Sequence, residues 1–67
     1  MSNKDSILVH FDYSHLPAHL AAVSGPFCDL AHLMAQDLPD GPEKSMALRK
    51  LLEAKDAAVR AAVRPGL

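Results

Sequence analysis

At 67 residues the chain is one domain at most, and its single cysteine, Cys28, excludes an internal disulfide. The formal net charge of −1 argues against DNA or RNA polymers as partners. With no secretion signal and no apolar run near 18 residues, neither secretion nor membrane spanning is expected, which points to the cytoplasm.

Residues 1–6 are polar. Residues 7–13 (ILVHFDY) are β-branched and aromatic, which suits a short strand or an extended arm. A lone strand would lack a pairing partner in so helical a chain, so residues 1–13 are expected to be an extended N-terminal arm.

Ser14-His15-Leu16-Pro17 has the form of a helix entry, because proline is tolerated in a first turn. A first helix over 14–38 follows. Gly25-Pro26 predicts an interruption there, either a kink or a break, since proline disfavours the α conformation of the residue before it. From Phe27 onward, Phe27, Leu30, Leu33 or Met34, and Leu38 recur at three and four residues and predict one apolar stripe. Cys28, inside this apolar run, reads as a small buried side chain.

Residues 38–45 (LPDGPEKS) read as a reversal followed by a helix start. Asp40 suits an N-cap and Glu43, three residues on, a capping box. Gly41 relieves the turn, and Pro42 falls in the first turn. The second helix is expected over 42–64, rich in alanine, with Leu48, Leu51 or Leu52, Lys55, Val59, and Ala62 or Val63 on its core face. Lys55 fits that face only if its stem lies along the seam and its amine reaches water. Pro65-Gly66 should stop the helix after Arg64.

The predicted fold class is all-α: an antiparallel helical hairpin with a short or kinked N-terminal helix. Two helices cannot cover each other's apolar faces, so a symmetric homo-oligomer is expected. The charge is divided in a way that suits such pairing. In residues 1–40 Lys4 stands against Asp5, Asp12, Asp29, Asp37 and Asp40, whereas six basic residues oppose three acidic ones in 41–67.

No catalytic motif emerges, and an enzyme is not expected. His15 and His19, four apart, could share a helical face, but no carboxylate or thiolate at ligand spacing completes a metal site. No metal or cofactor is expected. A ligand reading has more support. The start of the second helix offers backbone N–H groups and a positive dipole to an anion. Lys44, Ser45 and Arg49 lie within its first two turns, and Phe11 and Tyr13 are aromatics able to stack on a base.

The stretch 38–63, LPDGPEKSMALRKLLEAKDAAVRAAV, resembles the helical-hairpin domain shared by anti-CBASS and anti-Thoeris phage proteins, small sponges for cyclic-nucleotide immune signals. Gly41, Glu43, Ser45, Ala47, Leu48, Lys50, Leu51, Glu53 and Ala54 carry the match, and Arg64 resembles the family's closing basic residue. FCDLAHLMAQDLP resembles the family's first helix, and Tyr13 its early aromatic. The resemblance implies a homo-oligomer, commonly a hexamer, in the bacterial host cytoplasm. It implies reversible sequestration of a cyclic dinucleotide, a cyclic trinucleotide or a cyclic ADP-ribose isomer, without cleavage. It assigns base stacking to Tyr13 and polar contacts to Glu43 and Ser45. Lys44 and Arg49 are added on physical grounds as phosphate partners. The chain departs from the family where Pro42 replaces the turn arginine, where Ser24-Gly25-Pro26 occupies the place of a first-helix basic residue, and where Asp56-Ala57 replaces a late aromatic pair.

Overall fold

A computed structural model describes the backbone of residues 3–63 and the side-chain surroundings of residues 6–63. Arg64, Pro65 and Gly66, expected to close the second helix, lie outside the described residues, as does the start of the arm. The described chain is all-helical. A 3-10 helix, Asn3–Phe11, leads into α1, Ala18–Asp37, and a four-residue link into α2, Pro42–Val63. The two long helices pack against each other as an antiparallel hairpin, and the 3-10 helix touches both. None of the described helices is long and apolar enough to cross a membrane.

The arm is therefore not extended. Its three-residue period puts Leu8 and Phe11 on one side, and both turn inward with Ile7. Phe11 is fully buried with Ala31 of α1 and Leu48 of α2, and this trio is the core. Val9, on the opposite side, stays exposed.

The first helix also starts later than expected. Asp12 shapes the entry: its carboxylate accepts from the Ser14 N–H and from Ser14 Oγ, both at 3.1 Å. Pro17 then becomes the residue before the helix, and its carbonyl accepts from Leu20 and Ala21. Of the two expected interruptions at Gly25-Pro26, the break does not occur: α1 runs on through Pro26 as one helix. Gly25 has no Cβ to collide with the proline ring. Pro26 and Ala22 both face solvent, so the carbonyl that loses its N–H partner can be hydrated.

The buried face of α1 keeps Phe27 and Met34 of the predicted stripe and loses the rest, Leu38 being exposed too. Leu30 and Leu33 are exposed, whereas Ser24, Gly25 and Ala31 are buried, flanked by Phe27, Cys28, Met34 and Ala35. The small residues Ser24, Gly25 and Ala31 thus take the covered side of α1, and Leu30 and Leu33 are left on the outer side. On α2 the expected face is largely observed, with Leu48 buried and Leu51, Leu52, Lys55, Val59 and Ala62 half-buried. Val63 is exposed. Lys55 lies along the seam as its position required, its amine 2.9 Å from Asp56 Oδ1.

Two backbone and packing details lead to predictions. Ser24 Oγ is buried without a hydrogen-bond partner among the described residues. Ser24→Ala removes that desolvated hydroxyl and raises helix propensity, so a gain of about 1 kcal/mol in urea unfolding is expected. An unchanged or lower midpoint would show that the hydroxyl is satisfied. Gly41 has a φ of +154°, and a Cβ built there would meet nothing within 4 Å. Any cost of Gly41→Ala is thus backbone strain alone, and a loss of about 1–3 kcal/mol in the same assay is expected.

Candidate functional site

The residues singled out in the sequence fall in two places. Glu43, Lys44, Ser45 and Arg49 belong to the first two turns of α2. That helix start adjoins an open groove of about 370 Å³ along the link, with Leu38, Pro39 and Pro42 as its apolar lining. Glu43, Ser45 and Arg49 are exposed. Ser45 and Arg49, four apart, share one side of the helix.

The helix start is less open to an anion than its sequence suggests. Pro42 has no N–H, and the Ser45 N–H is spent on the Gly41 carbonyl at 3.2 Å. The N–H groups of Gly41, Glu43 and Lys44 are those without an intrahelical partner. The same bond makes Gly41, not Asp40, the N-cap residue.

Lys44, expected as a phosphate partner, is engaged within the fold. Its side chain is 5% exposed. Its amine donates to the Ala35 carbonyl at 2.6 Å and to Asp40 Oδ1 at 3.0 Å. Ala35 lies in the last turn of α1, where carbonyls have no partner within the helix. The neighbouring Met34 carbonyl is served by the Leu38 N–H at 3.0 Å. Lys44 thus caps the end of α1 from the start of α2. A cation is disfavoured at the positive end of its own helix and favoured at the negative end of another, so the dipoles support this placement.

Tyr13 lies elsewhere. Its ring covers Gly25 in the middle of α1, within 3.6–3.9 Å of where a Cβ would sit. It is 37% exposed. Gly25 and Ala35 are ten residues apart, or about 15 Å along the helix. A single chain therefore does not bring Tyr13 together with Glu43, Ser45 and Arg49.

A second cleft, of about 420 Å³, was not anticipated from the sequence. It lies between the 3-10 helix with its following turn and the last third of α2. It gathers His10, Asp12 and His15 opposite Lys55, Asp56 and Arg60, over Val9, Leu16 and Val59. Sequence spacing paired His15 with His19, whereas the fold sets His15 and His10 on one cleft. No local signal joins residue 10 to residue 60; only the docking of the 3-10 helix does. The bonds from Ser14, with the charge of His15 as a smaller contribution, hold the Asp12 carboxyl below the usual carboxylate range.

No group of three or more His, Cys, Asp or Glu among the described residues suits a metal ion. Burial, with smaller contributions from Asp29 and Asp12, pushes the Cys28 thiol up, which disfavours the reactive thiolate. No family model, curated protein or solved structure matches the chain.

Proposed function

We propose that this chain is a non-enzymatic binding protein that assembles into a homo-oligomer, a hexamer by resemblance. On this reading it sequesters a cyclic oligonucleotide or related nucleotide signal in the cytoplasm of a bacterial host. The observation that carries the proposal is the polar start of α2 set beside uncovered apolar surface. Glu43, Ser45 and Arg49 are exposed, and so are Leu38 and Met46 beside them in the chain and Leu33 on α1. Copies that bury those apolar side chains against one another would bring several helix starts together. They would also supply the Tyr13 that a single chain holds about 15 Å away along α1. Arg49, which makes no ion pair among the described residues, is the cation left to meet a phosphate.

The test is a thermal melt with a cyclic dinucleotide, a cyclic trinucleotide and a cyclic ADP-ribose isomer added separately. A ligand that binds only the folded oligomer stabilises it by roughly 3 kcal/mol at a hundredfold excess over Kd. The ligand should be recovered intact after denaturation. No shift with any of the three rejects the proposal, and a cleaved product would make the chain an enzyme. Tyr13→Ala is expected to weaken binding by about 1–3 kcal/mol in calorimetry while leaving the oligomer intact in light scattering. Unchanged affinity would reduce Tyr13 to a packing residue over Gly25.

A second reading is a helical oligomeric module that docks on a protein and takes no small molecule. The engagement of Lys44 with Ala35 and Asp40 favours it, because the helix start then lacks its nearest cation. So does Pro42, standing where the resembling family has arginine.

A further inference from the structure

The geometry points to a second binding site: the cleft between the 3-10 helix and the end of α2, which takes a small phosphate monoester carrying an apolar ring, such as a mononucleotide. The cleft holds about 420 Å³, within the roughly 300–1,000 Å³ typical of small-molecule sites.

Its charges are sorted. Both acidic groups are turned to neighbours: Asp12 accepts two bonds from Ser14, and Asp56 forms an ion pair with the Lys55 amine at 2.9 Å. Of the donors, Lys55 is paired with Asp56 and His15 acts on Asp12 only through its charge. Among the described residues, His10, His15 and Arg60 form no side-chain hydrogen bond or ion pair. A guanidinium offers five donors in a planar fork that fits phosphate oxygens, and two imidazoles add a donor each and a flat face. Val9, Leu16 and Val59 supply the apolar wall on which a ring can rest. Three donors without hydrogen bonds beside carboxylates that are already engaged can receive an anion, and the apolar wall selects one with an organic body.

This site does not depend on the signal-binding reading. It needs no second copy, and it shares no residue with the helix start of α2.

The experiment is a titration of the isotope-labelled full chain at low ionic strength, followed by amide and imidazole resonances. Adenosine monophosphate, inorganic phosphate and adenosine are the three probes, each taken to about 10 mM, where even a ~1 mM site is roughly nine-tenths filled. Adenosine monophosphate should shift His10, His15 and the backbone around Arg60, and phosphate should shift the same residues more weakly. Arg60→Gln should weaken adenosine monophosphate about tenfold, and His10→Gln should weaken it in the same direction. Lys50→Gln, an exposed cation outside the cleft, should leave the affinity unchanged. Circular dichroism confirms that each variant folds.

Three results would overturn the proposal. One is no shift at the highest concentration. Another is shifts confined to the first turn of α2 that survive Arg60→Gln. The last is an equal loss in Lys50→Gln, which would mean diffuse charge attraction without a site.

Discussion

Phe11→Ala is expected to remove about 3–5 kcal/mol of folding stability, the largest loss from any single truncation among the described residues. Phe11 is fully buried and is the largest core side chain. It is also the point at which the 3-10 helix meets both long helices, so the variant loses more than contact area. The cavity would sit between three elements that cannot all collapse onto it. Folded domains are stable by only about 5–15 kcal/mol, and one this short belongs near the lower end. The variant should therefore be largely unfolded or should melt at much lower temperature, as read by circular dichroism and urea titration. A loss under about 1 kcal/mol would mean that the N-terminal segment is not part of the cooperative unit.

The second large effect is expected at Lys44. Lys44→Met keeps the length of the stem and removes the ammonium. The Ala35 carbonyl loses its partner at a helix end, and Asp40 loses its ion pair. A hydrogen bond to a charged group contributes about 1.5–3 kcal/mol, and a loss in that range is expected in urea unfolding. The measurement also separates two roles. If Lys44 caps α1, the variant is less stable with or without nucleotide, and the affinity of the protein that remains folded is retained. If Lys44 were a phosphate partner, stability would hold and affinity would fall.

Lys44 also illustrates how much of the site was legible. The helix start, its exposed Glu43 and Ser45, and the nearby Arg49 follow from LPDGPEKS and helical spacing alone. The burial of Lys44 does not follow from spacing. The dipole argument was nevertheless available: a lysine in a first turn faces the wrong end of its own helix, seven residues past the end of another. The His10–Arg60 cleft left no comparable trace, because fifty residues separate its two sides. Tyr13 is the intermediate case. Its aromatic character was visible, but Gly25 as the surface beneath it was not.

The same division runs through the fold. Helical periodicity, the alanine-rich second half and the Gly-Pro turn determined an all-α hairpin with a four-residue link. These are local properties, set by backbone sterics and side chains three or four residues apart. The tertiary structure decided the rest. Packing coiled the apolar arm into a 3-10 helix, because Leu8 and Phe11 had a hairpin seam to fill. It carried α1 through Pro26 without a break, with Gly25 buried and the proline exposed. It also chose the small-residue face of α1 for the seam and left Leu30 and Leu33 outside. Periodicity states which residues share a side of a helix; only the approach of a second surface decides which side is covered.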